Sequence, residues 1–304
     1  MENHDINYDI RASAGSFIAE CDHHYRQQVH DAAEAVAARL SESGVILLSG
    51  PSGSSKTTTA LTLAGYLGHY DVKCHVVSLD DYYRDHEEPY PLDDDGKPDY
   101  ESPLGLDLPL LNEQMNALRR GQTVMIPHFD FQTQHREPEL ARPMQLGEKE
   151  AVIFEGITAL HPLIADRCPG AVRIFVAPST PLTRKGKVLF DCTKIRLLRR
   201  MVRDFNFRRH DPTRTLEMWG SVRRGERLYV MPYAHTADIT IDSTLGYEVP
   251  VLGYMAKSML EQLPPDVPQR GLIDEILQAL PAIAPIAPEM VPESSLLRQE
   301  FMKD

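Results

Sequence analysis

The sequence predicts a mixed α/β fold in which a mostly parallel sheet carries helices on both faces. Three observations predict it. Short apolar runs alternate along the chain with segments of helical periodicity. The runs are continuously apolar, as strands covered on both faces require. A glycine- and serine-rich loop joins the first run to a helix, the place where such a sheet presents a ligand site. A small β insertion and a lid are expected beside the sheet.

Phe17, Cys21, Tyr25, Val29, Ala33, Val36 and Leu40 recur every three or four residues and predict an amphipathic helix over Ser16–Leu40, stopped by Gly44. Val45–Leu48 reads as a buried strand and Lys56–Leu67 as a helix closed by Gly68. Val72–Leu79, rich in β-branched residues, is a second strand, followed by a loop over Tyr82–Ser102 that is rich in Pro and Asp. Leu106–Arg119 reads as helix, Thr123–Ile126 and Met144–Leu146 as short extra strands, and Ala151–Phe154 and Val172–Val176 as strands. Lys194–Phe207 is a basic helix, Ala237–Ile241 a last strand and Tyr247–Leu260 a helix. The proline-rich tail Pro264–Pro292 is expected to wrap the surface. The organisation read from this is an N-terminal helical extension (1–40), a central α/β domain (41–263) and a C-terminal extension packed on it (264–304).

A chain of 304 residues with 42% apolar residues can bury a large core. The 32 Lys and Arg against 44 Asp and Glu leave a net charge of −12, which argues against a general nucleic-acid binder. Cys21, Cys74, Cys168 and Cys192 form no C-x-x-C pair and read as reduced thiols of a cytoplasmic protein. Met1–Arg11 is polar and acidic, so no signal peptide is expected, and no apolar run is long enough for a membrane span.

The most informative segment is Gly50-Pro51-Ser52-Gly53-Ser54-Ser55-Lys56-Thr57. Between a strand and a helix it reads as a phosphate-binding loop. Its small residues let backbone N–H groups turn inward onto phosphate oxygens, and the helix N-terminus adds partial positive charge. Gly50, Ser52, Gly53, Ser54, Ser55 and Thr58 are the expected nucleotide contacts. Lys56 would reach the β- and γ-phosphates of ATP, and the Thr57 hydroxyl would ligate Mg²⁺. Ser55 stands where the usual pattern has glycine. Two conformations are open at Ser55, a negative φ that serine fits and a positive φ that strains it; with Gly53 as the loop's flexible point, the negative φ is expected.

Asp80 and Asp81 close the second strand, and Glu155 closes the strand Val152-Ile153-Phe154. Carboxylates beyond strand ends suit proton abstraction from a hydroxyl and Mg²⁺ binding, with Thr57, Asp80 and Glu155 as the metal set. His23, His24 and His128 have no carboxylate or thiol at ligand spacing and are poor metal candidates.

With these residues the chain resembles the uridine kinase and phosphoribulokinase family of P-loop kinases. The resemblance runs through Gly50-Pro51-Ser52…Lys56-Thr57-Thr58, Ser78-Leu79-Asp80-Asp81-Tyr82-Tyr83-Arg84 and Tyr100-Glu101-Ser102-Pro103. It continues through Pro127-His128-Phe129-Asp130-Phe131, Phe154-Glu155-Gly156-Ile157 and the helix Lys194–Asp204. The segments Ser221–Glu226 and Val291–Arg298 resemble a bacterial subgroup in which the kinase domain often follows a region similar to part of threonyl-tRNA synthetase. This chain resembles the kinase domain alone.

The resemblance implies transfer of the ATP γ-phosphate to the 5′-hydroxyl of a nucleoside. Asp80 would be the general base, Tyr83 and Glu101 would touch the nucleoside, and Phe129 and Phe131 would line the base pocket. Gln134 stands where the pyrimidine kinases of the family carry a base-reading His. Arg196, Arg199 and Arg203 are spaced to share one helix face, where they could neutralise the transferring phosphate beside Lys56. A lid around Thr180–Arg203 would exclude water. The alternatives are a kinase of another small hydroxyl substrate, such as a sugar phosphate, and a nucleotide-binding protein without turnover. Homo-oligomerisation is left open.

Overall fold

The computed structural model describes residues 6–40, 44–85 and 88–303. The first five residues, the expected boundary at residue 41 and part of the Tyr82–Ser102 loop lie outside the described residues. The first helix, α1 (Ile6–Ala37), breaks at Ser13, whose φ of −167° is not helical. The Ser13 hydroxyl accepts from Ser16 N–H at 3.2 Å and so caps the second segment, the helix expected from Ser16 onward.

β1 (Val45–Ser49) leads through the loop into α2 (Lys56–Leu67), and β2 (Lys73–Ser78) follows. After α3 (Leu108–Arg119) comes the small β insertion. β3 (Val124–Ile126) pairs antiparallel with β6 (Arg142–Met144), and between them β4 (Phe129–Asp130) and β5 (His135–Arg136) form a hairpin. β7 (Glu150–Glu155), α4 (Pro162–Ala165) and β8 (Val172–Ala177) return to the main sheet. A two-stranded hairpin, β9 (Leu182–Arg184) and β10 (Lys187–Phe190), stands in the expected lid segment and leads into α5 (Cys192–Arg208). Then come α6 (Pro212–Gly225), β11 (Ile239–Asp242), α7 (Glu248–Glu261), α8 (Arg270–Ala279) and α9 (Leu296–Phe301).

The main sheet has the order β11-β8-β1-β7-β2, with every pair parallel. All five residues of β1 are buried, and their side chains alternate between two cores. Val45 and Leu47 join Val152 and Phe154 under α3 and α4. Ile46 and Leu48 join Ala151 and Ile153 under α1, α2, α5 and α7. The chain leaves central β1 first toward β2 and β7 and later crosses to β8 and β11. That reversal falls between β1 and β8, and open α/β sheets bind ligands beyond the carboxyl ends of their strands at such a point.

Several elements depart from expectation, α6 and the C-terminal tail most of all. α6 was not anticipated, because only Leu216, Trp219 and Val222 of a polar segment are its large buried apolar residues. The proline-rich tail does more than wrap the surface. Ile273, Ile276, Ile286, Leu297 and Phe301 enter the core, with prolines punctuating short helices rather than excluding them.

Candidate active site

The phosphate loop is shaped by contacts from beneath. Gly50 lies so close to β8 that a Cβ would collide with the Val176 carbonyl oxygen. Gly53 is left-handed at φ 74°, and Ser55 is also left-handed, at φ 67° and ψ 35°. The expectation of a negative φ at Ser55 is therefore corrected. The flexible point has not moved to Gly53; the loop keeps two left-handed turns, and serine carries the second under strain of about 1–2 kcal/mol. The Ser55 carbonyl accepts the first-turn bond from Thr59 N–H at 2.9 Å, so its backbone is locked by the helix it opens.

α5 braces this loop. Arg196 Nη1 donates to Ser52 O at 3.1 Å, Arg199 Nη1 to Gly53 O at 3.2 Å and Ser55 Oγ at 3.4 Å, and Arg200 Nη1 to Ser52 Oγ at 2.6 Å. Arg196 is also bidentate to Glu226, and Arg199 pairs with Glu248. Arg199 and Glu248 are 0% and 1% exposed, and burial pushes the Glu248 carboxyl up while Arg199 opposes it. Arg196 and Arg199 thus lie under the loop, held by carboxylates, and do not share an open face with Arg203. Arg200, Arg203 and Arg208 instead gather on the buried carboxylate of Asp204, at 3.3, 3.0 and 3.5 Å. The charges of Arg203 and Arg208, from the second half of α5, act on Asp80 and lower its pKa.

Lys56, Thr57, Asp80 and Glu155 converge at the strand ends. Lys56 Nζ lies over the loop and donates to Pro51 O at 3.3 Å. Burial lowers its pKa, opposed by Glu155 and Asp80. Thr57 Oγ1 donates to Glu155 Oε1 at 2.8 Å. Glu155, buried at the end of β7, is pushed up by burial and held down by Lys56. Asp80 sits in a single 3₁₀ turn over Leu79–Tyr82, where its N–H donates to Ser78 Oγ at 3.2 Å. It keeps contact with solvent, but the surrounding protein strips hydration from its carboxylate and raises its pKa, with Lys56 opposing. A carboxylate so placed can take a proton from a hydroxyl. Asp81 points elsewhere: His128 Nδ1 lies 3.6 Å away, and its carboxylate accepts from the Phe129 backbone, fixing the β insertion.

Aromatic residues line the other wall. Tyr83, Phe129 and Phe131 form a ring cluster with centroids 5.2–6.0 Å apart. Phe129 is buried, but Phe131 is 60% exposed. Tyr83 OH donates to Tyr100 O at 2.6 Å, tying this cluster to the Glu101 loop. Gln134 ends the turn between β4 and β5 with φ 60°, on the same hairpin as the two phenylalanines. Glu101 packs on Gly225, where a Cβ would collide with it. Burial pushes its carboxyl up to about 7, with Arg200 opposing and Glu226 and Asp80 adding.

Several contributors were not singled out from sequence. Asp99, 1% exposed, accepts from Arg224 Nη1 and Tyr229 OH, each at 2.9 Å, and pins the Glu101 loop to α6. The only sequence signal was the aspartate-rich composition of that loop. Arg208, Glu226 and Glu248 gain their roles purely from long-range packing. The β9–β10 hairpin is tied toward the C-terminal segment, with Arg184 Nη1 donating to Ala282 O at 2.7 Å.

Residues 45–249 match the Phosphoribulokinase / Uridine kinase family. The chain is 32% identical over 122 residues to a uridine kinase of Lactobacillus helveticus, a match covering 40% of this chain and 56% of that protein. It is 28% identical over 222 residues to a uridine kinase of Geobacillus kaustophilus, covering 72% of this chain and 95% of that one. Among solved structures, a possible uridine kinase from Bacillus stearothermophilus aligns with a TM-score of 0.48 at 16% identity, covering 71% of this chain and 98% of that one. With its phosphate loop set at the head of a parallel sheet, the chain belongs to the phosphoribulokinase / uridine kinase family and is a P-loop kinase, a phosphotransferase acting on an alcohol acceptor.

Proposed function

We propose that this kinase transfers the γ-phosphoryl group of ATP to the 5′-hydroxyl of a uridine- or cytidine-like nucleoside. The observation that carries this is the position of Asp80 between two unlike walls. On one side stand the phosphate loop, Lys56 and Glu155; on the other stand the Tyr83, Phe129 and Phe131 cluster and Glu101. A base can lie against the rings, and a ribose diol can donate to a carboxylate. Asp80 would accept the 5′-hydroxyl proton as the new O–P bond forms at the γ-phosphorus and the bond to the β-phosphate oxygen breaks, with ADP as leaving group.

The loop's chemistry suits phosphate. Among the described residues Ser54 Oγ is buried without a hydrogen-bond partner, polar capacity that a phosphate oxygen would satisfy. Thr57, Glu155 and Asp80 are hard oxygen donors of the kind that hold Mg²⁺ together with phosphates. When bound, the ion would neutralise charge developing on the phosphates. Lys56 would orient the β- and γ-phosphates, and Arg203 and Arg208 would add positive charge to the cleft.

The same reading takes residues 41–263 as the kinase unit, 1–40 as an N-terminal helical extension and 264–304 as a C-terminal extension packed on the kinase unit. It sets the kinase in the cytoplasm, supported by four cysteines that form no C-x-x-C pair. Among the described residues no helix is long and apolar enough to cross a membrane.

The experiment is ATP consumption by the purified protein against a panel of nucleosides and sugar phosphates, with Asp80→Asn alongside. Nucleosides should be turned over, and Asp80→Asn should lower kcat by about 10²–10⁴ while ATP binding survives. Faster turnover of a sugar phosphate, or near-normal turnover by Asp80→Asn, would overturn the reading.

A further inference from the structure

Three consecutive threonines open α2, and each is held by a different part of the chain. Thr57 donates to Glu155 of β7, at 2.8 Å. Thr59 Oγ1 and Tyr25 OH of α1 share a hydrogen bond of 2.8 Å. Thr58 Oγ1 donates to Glu300 Oε2 of α9 at 3.0 Å. The first two contacts lie at the carboxyl end of an inner strand and in the core. The third brings a carboxylate from the last helix of the chain onto a residue assigned to the nucleotide.

α9 is not loosely applied. Leu297 and Phe301 are fully buried, the Arg199 guanidinium lies 5.5 Å from the centre of the Phe301 ring, and Asn206 Nδ2 donates to Phe301 O at 2.8 Å. The helix is therefore docked on the element that braces the phosphate loop. Glu300 itself is only half-buried. Among the described residues its one side-chain hydrogen bond is that from Thr58, and no cation lies within ion-pair distance. Its charge is instead felt by Lys56. A carboxylate with no dedicated counter-ion, beside a lysine that must meet phosphate, works against an anionic ligand.

We propose that Glu300 is a positioning residue that sets the affinity of the phosphate loop for its nucleotide donor. It holds the Thr58 hydroxyl and imposes a repulsion that grows with the number of phosphate charges. The proposal rests on the phosphate loop being the ATP site. The stabilising role of Glu300 and its electrostatic role are separable, because glutamine keeps the acceptor for Thr58 and removes the charge.

Calorimetric titration of wild type and Glu300→Gln with ATP, ADP and adenosine, at low and high salt, tests this, with Lys56→Ala as control. Glu300→Gln should bind ATP about three- to tenfold more tightly, the range one partly screened charge supports. The gain should be smaller for ADP, absent for adenosine and reduced at high salt. Glu300→Lys should tighten ATP further. Unchanged or weaker ATP binding by a folded Glu300→Gln, in a protein whose ATP binding Lys56→Ala abolishes, overturns this proposal alone. An equal gain for adenosine and ATP also overturns it, since a purely structural role would not count phosphates. Wild type that does not bind ATP, or binds it unaffected by Lys56→Ala, overturns the nucleotide site and the proposal with it.

Discussion

Replacing Ser55 by glycine and, separately, by alanine divides backbone strain from side-chain chemistry in the phosphate loop. Ser55 holds φ 67° and ψ 35°, a left-handed conformation that costs a residue with a Cβ about 1–2 kcal/mol. Glycine removes that cost but gains freedom in the unfolded chain, which offsets about 0.4–1 kcal/mol. Both substitutions remove Oγ and its 3.4 Å hydrogen bond from Arg199, so the hydroxyl cancels between them. The glycine variant should be more stable than the alanine variant by about 1 kcal/mol. The measurement is urea unfolding, read as a shift in midpoint at constant slope. ATP affinity of the glycine variant should stay within about tenfold of wild type, or about 1.4 kcal/mol, because the loop already adopts the conformation that glycine prefers. An alanine variant as stable as the glycine variant would refute the left-handed turn. If wild type were inert toward every acceptor and glycine alone switched transfer on, serine would be disabling the loop.

Lys56→Ala should weaken ATP binding and turnover together, read by calorimetry and a coupled assay; unchanged values in both would remove the loop from the nucleotide site. Arg199→Met should cost about 3–5 kcal/mol, because Glu248 is left buried and unpaired, and adding Glu248→Met should recover much of the loss; equal loss in single and double variants would contradict that account. The Glu101 carboxyl is raised to about 7 in the folded chain, so its contribution to stability is full below its unfolded pKa and is lost as pH rises through about 7. Glu101→Gln should therefore stabilise the protein relative to wild type at pH 8 and not at pH 4, by urea melts at each pH. A 2′-deoxynucleoside should show at least about fivefold lower kcat/KM than its ribo form, since a carboxylate that bound substrate buries and leaves without its hydroxyl partner costs about 1–3 kcal/mol; equal values would take Glu101 away from the diol.

Much of this molecule is written in local pattern. Continuous apolar runs marked the strands of the main sheet, because strands buried on both faces have no polar side to show. The strand–loop–helix context marked the phosphate loop, because small residues, a lysine and a helix start must be contiguous to cradle phosphate. Asp80 and Glu155 were legible as carboxylates at the ends of apolar strands. What local pattern did not carry depended on partners distant in sequence. The spacing of Arg196, Arg199 and Arg203 suggested one cationic face, yet Glu226 and Glu248, arriving from other elements, bury the first two beneath the loop. Ser55 was expected at negative φ, but its conformation is imposed by the helix that starts after it and by α5 below, not by neighbouring glycine. The tail after Pro264 looked like surface by composition, while three-dimensional packing gives Ile273, Ile276 and Phe301 a place in the core and sets Glu300 against Thr58. Residue type and periodicity determined which elements form and what chemistry they can offer. Only the tertiary structure decided which charges are neutralised, because that depends on which side chains meet across the fold.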